Sequence, residues 1–180
     1  MLTPDQFVTK YNGQPVEAYD PNNKNQCVDL VTQYCMDVFG LPNTIFAGLD
    51  YACNIWTPST TLAVSKFDYI DNTPTNSPQK GDIIVWSHWY NWTWNFWGAG
   101  HTGIATGTGD VNNFQCFVQN DPTGTYSHLR MYNYNCVLGW LRAKAPVIPL
   151  TDAQKWQKTV AMEKTTIADS NFRYQVKQME

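Results

Sequence analysis

The sequence predicts an α+β fold in which N-terminal helices pack on an antiparallel β-sheet, and three observations carry that reading. A helical stripe lies early in the chain, short strand patterns lie late, and turn formers separate the strands. Helices followed by a run of strands argue for segregated elements, because a parallel sheet needs the two to alternate. Cys27, Leu30, Val31, Tyr34, Cys35 and Val38 recur at helical spacing, and Gly40 followed by Pro42 ends that helix. A second, shorter helix is expected within residues 49–62. The Asn-, Thr- and Pro-rich loop at residues 72–78 then leads to strands expected at 82–86, 102–106, 114–118, 127–132 and 137–142. Gly107-Thr108-Gly109-Asp110 and Asp121-Pro122-Thr123-Gly124 supply turns between them.

The 180 residues suffice for one domain and an appendage, and composition places the boundary. All 11 glycines and all 10 prolines precede residue 151, while charge is concentrated in the last 30 residues. Residues 1–146 are expected to form the domain. Residues 147–180 are expected to form an extended connector and a helical linker or tail, with Ala153, Val160, Ile167 and Tyr174 as a thin apolar seam.

A net charge of -3, with only 15% charged residues, disfavours nucleic acid, whose phosphates call for a clustered basic face. The surface is neutral and polar, with 16 Asn and 19 Thr, as suits a sugar- or peptide-like partner. Hydrophobic residues make up 43% of the chain, too many for disorder. No apolar run approaches the roughly 18 residues that a membrane span requires. The first residues, Met1-Leu2-Thr3-Pro4-Asp5-Gln6, lack the basic and apolar regions of a secretory signal, so synthesis in the cytoplasm and delivery by another route are expected. Five cysteines cannot all pair within one chain, and no Cys-x-x-Cys occurs, which favours reduced thiols over a disulfide or zinc framework.

One thiol stands at a place that favours chemistry. Cys27 begins the predicted helix, where unpaired N–H groups and the dipole stabilise thiolate. A buried core cysteine explains it equally, as it does Cys35 on the same stripe. A nucleophilic thiol needs a base, and the candidates are His88, His101 and His128. His101 lies in Gly98-Ala99-Gly100-His101-Thr102-Gly103, where small neighbours let another segment approach the ring. Packing among Trp86, Trp89 and Tyr90 accounts for His88, and exposure on a strand accounts for His128. Asn120, after the 114–118 strand, is placed to orient the His101 ring, although before Asp121-Pro122 it also reads as a turn residue. Seven aromatics lie between Trp86 and Trp97. Trp92, Trp94 and Trp97 would bind substrate by stacking, or would close the core.

Gln26-Cys27-Val28-Asp29, Lys80-Gly81-Asp82-Ile83-Ile84-Val85-Trp86, Gly100-His101-Thr102-Gly103-Ile104-Ala105, Val118-Gln119-Asn120 and Gly139-Trp140-Leu141-Arg142 follow one another in the order seen in a known family. Across residues 5–145 the chain resembles the CHAP domains, cysteine, histidine-dependent amidohydrolases/peptidases of phage endolysins and cell-wall hydrolases. The resemblance implies a papain-like, NlpC-P60-like core. It makes Cys27 the nucleophile, His101 the general base and Gln26 an oxyanion donor. The commonest phage pattern is Glu-Gln-Asn, so Val118 departs from it and leaves Asn120 as the third member. The implied partner is bacterial peptidoglycan, cleaved at an amide bond by an endopeptidase or N-acetylmuramoyl-L-alanine amidase. The enzyme would reach the wall through holin-mediated release or within the virion. A wall-binding or assembly module would follow the linker. Some members bind Ca²⁺ just before the nucleophile, which here implicates Asp20, Asn22, Lys24 and Asp29, the middle two through backbone carbonyls. Ala18 stands at an earlier position that is often acidic, and an Asp-Pro-Asn turn without metal explains the same residues. The chemistry itself requires no cofactor.

Three other functions fit parts of this pattern. A papain-like deamidase or transglutaminase acting on protein glutamine would keep the same Cys and His. A zinc amidase would draw on His88, His101 and His128. A non-catalytic wall-binding module would need only the aromatic cleft.

Overall fold

Helix α2, Cys27–Phe39, buries the stripe that its spacing predicts: Cys27, Leu30, Val31, Tyr34 and Cys35 are all buried. Gly40 adopts a left-handed conformation (φ 65°) and ends the helix, its N–H bonding back to Met36 O at 3.1 Å. The computed structural model describes residues 1–18, 25–57, 61–90 and 98–144, and Met1–Lys144 form one compact unit. The expected connector and tail at 147–180 lie outside the described residues.

The helices differ from the sequence expectation in two places. Helix α1, Pro4–Tyr11, starts with a capping box in which Thr3 and Gln6 exchange backbone and side-chain hydrogen bonds. The expected helix at 49–62 is instead a 3-10 turn at Ala52–Trp56 and a short α3 at Thr61–Lys66. The break has a local cause: Thr57 is extended (φ -89°, ψ 112°), as the residue before Pro58 prefers to be.

The strands are β1 Phe67–Asp71, β2 Ile83–Trp86, β3 His101–Gly109, β4 Asn113–Val118, β5 His128–Asn133 and β6 Val137–Ala143. They form one six-stranded antiparallel sheet in the order β1-β6-β2-β3-β4-β5. The predicted α+β class with helices before an antiparallel sheet is therefore observed, with β1 as an unpredicted edge strand. One face of the sheet packs Ile83, Val85, Ile104, Phe117 and Leu141 against α1 and α2. The other is lined by Ile84, Trp86, Phe114, Tyr132 and Trp140.

Two sequence motifs act here as fasteners. Asp82, before β2, meets Arg142 of β6 in a bidentate pair (Nε–Oδ1 3.0 Å, Nη2–Oδ2 2.6 Å). A Cβ on Gly81 (φ 91°) would lie 2.8 Å from Tyr34 Oη, so only glycine lets α2 sit this close to the start of β2.

Candidate functional site

The site forms where the N-terminus of α2 meets the beginning of β3. Gln26 is the N-cap and Cys27 the first helical residue. The carbonyl of Gln26 accepts from Gln119 Nε2 at 3.0 Å, and Gln119 also exchanges hydrogen bonds with both backbone groups of Val16 (2.8 and 2.9 Å). Ser127 Oγ donates to the Gln119 amide oxygen at 3.0 Å. Gln119 thus ties the chain before α2 to the end of β4, a clasp that sequence reading did not assign.

Cys27 is 8% exposed. Burial pushes its thiol up to about 12, against the N–H groups of Thr102, Val28 and Cys27 itself. The Thr102 contact fixes the geometry: the sulfur rests on the backbone of the residue that immediately follows His101. Cys35 lies wholly in the core, its thiol also raised by burial.

His101 opens β3 opposite Trp86 of β2 and is 2% exposed. Its ring lies 5.3 Å from the Trp86 ring and stacks on Tyr90 at 5.6 Å with a 17° tilt. Gly100 makes this approach possible. A Cβ there would lie 2.5 Å from Trp86 O and 2.7 Å from Cys53 Cβ, and Cys53 N–H bonds to Ala99 O. The expectation that small neighbours admit another segment thus holds, and the segment is the 3-10 turn at 52–56.

Asn120 does not take the position expected of it. Its Nδ2 donates to Gln26 Oε1 at 3.0 Å, and its Oδ1 accepts from Gly124 N–H at 2.6 Å. The group facing His101 is the next side chain: Asp121 Oδ2 lies 3.8 Å from His101 Nε2, a buried nitrogen with no hydrogen bond among the described residues. Backbone direction explains the exchange. Asn120 is left-handed (φ 62°), which turns successive side chains to different sides of the strand end. The carboxylate absent at Val118, itself buried against Gly103, is supplied three residues later.

Asp121 is held firmly. Tyr90 Oη and Tyr132 Oη donate to Oδ2 at 2.6 and 2.5 Å, and Arg130 Nη1 pairs with Oδ1 at 3.0 Å. Burial works to raise this carboxyl, but the two phenols, His101 and Arg130 hold it below the ordinary range. Burial pushes His101 down to about 4; Asp121 opposes that shift, while Arg130 and His128 add to it. His101 and Cys27 are therefore neutral at pH 7.

The His88 ring lies 4.6 Å from the Trp89 ring at a 41° tilt, and His128 Nδ1 bonds to Tyr126 O at 2.8 Å. Among the described residues no three His, Cys, Asp or Glu side chains gather as a metal site, so the three histidines do not converge. Of the calcium candidates, Asp20, Asn22 and Lys24 lie outside the described residues, as do Trp92, Trp94 and Trp97. Asp29 is buried, and its oxygens accept the N–H groups of Gln26 (2.8 Å) and Ala18 (3.2 Å). Asn25 Oδ1 is buried with no hydrogen bond among the described residues.

No protein-family model and no curated protein sequence matches the chain. Among solved structures, the crystal structure of the wild-type endolysin LysIME-EF1 is similar, with a TM-score of 0.59 and 23% sequence identity. The likeness covers 82% of this chain and 67% of that one. At this identity it is a likeness of fold.

Proposed function

We propose that this chain is a phage-type peptidoglycan hydrolase that cuts an amide bond of the bacterial wall through the Cys27 thiol. The observation that carries the reading is the contact between the Cys27 sulfur, at a helix N-terminus, and the N–H beside His101, whose ring faces Asp121. The endolysin-like fold and the ordered CHAP-like motifs support the substrate class.

The chemistry is acyl transfer. Cys27 Sγ attacks the amide carbonyl while His101 takes the thiol proton. Asp121 lies beside Nε2, so Nδ1 is the ring nitrogen assigned to that transfer. Both groups start neutral, so the proton moves as the S–C bond forms, without a standing thiolate–imidazolium pair. The Cys27 backbone N–H and the Gln26 side-chain amide receive the developing oxyanion. His101 then protonates the leaving amine and activates water to hydrolyse the thioester. Asp121, in place of Asn120, orients the ring.

In this reading Trp92, Trp94 and Trp97 contact the glycan or peptide. A structural Ca²⁺ is assigned to Asp20, Asn22, Lys24 and Asp29, and calorimetry with CaCl₂ on the wild type and Asp20→Ala tests it. Holin release or packaging in the virion would bring the enzyme to the wall.

Mass spectrometry of purified walls after digestion tests the function directly. New stem-peptide amines, bridge amines or lactyl ends from the wild type, and none from Cys27→Ala, are expected. Equal digestion by Cys27→Ala would discard the thiol mechanism. Ammonia release from protein glutamine without new wall ends would move the chain to the deamidase class.

A further inference from the structure

We propose a second ligand site, separate from the thiol: a neutral polar groove that takes an N-acetylated sugar of the wall glycan. It is formed by residues 72–77, after β1, with Val111 of the β3–β4 turn and Tyr134 of the β5–β6 turn. The assignment to a wall sugar rests on the peptidoglycan reading above and deepens it, by adding a hold on the glycan away from the scissile amide.

The groove offers about 300 Å³, and a second hollow of about 220 Å³ continues from it past Ser77, Val111 and Tyr134 to residues 107–110. Small-ligand sites begin at about this size. The loop that walls the groove is held in place by the protein itself. Asn72 Nδ2 donates to Tyr134 O (3.3 Å) and Val137 O (3.1 Å), and its backbone N–H bonds to Leu138 O, which ties the loop to β6. Asn76 Nδ2 donates to Asp71 O at 3.3 Å. Tyr134 is also fixed, its ring 4.8 Å from the Phe114 ring and its Oη donating to Asp110 O at 3.1 Å.

The groups left over set the ligand. With both Nδ2 groups committed, the amide oxygens of Asn72 and Asn76 have no donor among the described residues, and Ser77 Oγ has no partner among them. The Thr73 and Thr75 hydroxyls meet at 3.2 Å, an arrangement that uses one proton and leaves the other to donate outward. A ligand that answers all of these carries donors and acceptors on a neutral frame. Pyranose hydroxyls and an acetamido N–H meet that demand, with a C–H face for Tyr134 and for Val111, which is 82% exposed. Charge argues the same way. No Lys, Arg, Asp or Glu is among the described residues that line the groove. In the second hollow Asp110 turns its carboxylate onto the N–H groups of Asn112 and Asn113 (2.7 and 2.9 Å). A phosphate or a peptide carboxylate would find no cation there, whereas a neutral sugar needs none. Holding the glycan at a second point raises the effective concentration of the amides beside it.

¹⁵N spectra of the full-length chain titrated with N,N′-diacetylchitobiose test the site. Backbone amide signals of residues 72–77, 111 and 134 should shift together, with half-saturation in the low millimolar range, while those of Cys27 and His101 hold. Inorganic phosphate and the free peptide L-Ala-γ-D-Glu-L-Lys should leave the loop signals in place; equal shifts with either would overturn the neutral-sugar assignment. Ser77→Arg, at an exposed position, puts a long side chain where the two hollows join and should weaken diacetylchitobiose binding about tenfold. Thr75→Arg, also exposed, should do the same should Ser77→Arg fail to fold. Loop signals that do not move with diacetylchitobiose, or undiminished binding by the arginine variant, would overturn the site. A wild type that releases no new wall ends would instead refute the peptidoglycan reading, and the titration would still decide whether the groove takes the sugar.

Discussion

Burial governs His101, opposed by an Asp121 carboxylate that already accepts two phenol hydrogen bonds and faces an arginine. Tyr90 and Tyr132 occupy Asp121 Oδ2, and Arg130 sits on Oδ1. Burial costs the imidazolium more than Asp121 returns, hence the fall to about 4. The sign for stability follows. Between the unfolded value near 6.5 and the folded value near 4, the unfolded chain binds a proton that the folded chain refuses. Stability therefore falls as pH drops across that window, by roughly 3 kcal/mol from this ring. Urea midpoints measured from pH 7 to pH 4 should drop more steeply for the wild type than for His101→Gln; parallel curves would contradict it. Tyr132→Phe frees a lone pair of Oδ2 for Nε2–H, so the acid limb of kcat/KM should move to higher pH. An unchanged limb would mean that Tyr132 does not compete for Asp121. Sequence reading singled out Cys27, His101 and Gln26 as candidates because their motifs name them. It gave Asn120 the place of Asp121 because a single left-handed residue decides which side chain meets the ring, and no spacing rule records that turn.

Helix α2 was legible because a stripe at helical spacing and a glycine stop are local signals, and β3, β4 and β5 follow one another through the two turns that the sequence marks. The edge strand β1 was not, since Phe67–Asp71 shows no clean alternation and pairs with β6 some 70 positions away, Phe67 opposite Ala143. Helix α1 did carry a signal, the Thr3–Gln6 capping box, in a segment short on apolar periodicity. Between elements, the Asp82–Arg142 pair matters most. Asp82 is 3% exposed and has the Gln79 N–H at 2.7 Å as its other partner, so Arg142→Ala strands a buried charge. A loss of about 2 kcal/mol is expected, because hydrogen bonds to a charged group are removed and the residual carboxylate is poorly solvated. The denaturation midpoint should fall while wall cleavage below the transition persists; an unchanged midpoint would show the pair to be neutral.

At the scale of the molecule, Met1–Lys144 hold both faces of the sheet and the described residues of the candidate site. A chain ending at residue 146 should therefore melt at the temperature of the full-length protein and release the same wall fragments. Loss of cooperative melting on truncation would make residues 147–180 part of the folding unit.

Strand β6 lies between β1 and β2, so the last of the described strands to leave the ribosome fills an interior place in the sheet. Until Ala143 is made, β1 has no neighbour and one margin of β2 stays open. Nascent protein thus carries unfinished, sticky backbone through most of its synthesis, and yield in an expression host should respond to slower growth and cooler culture before it responds to changes on the surface.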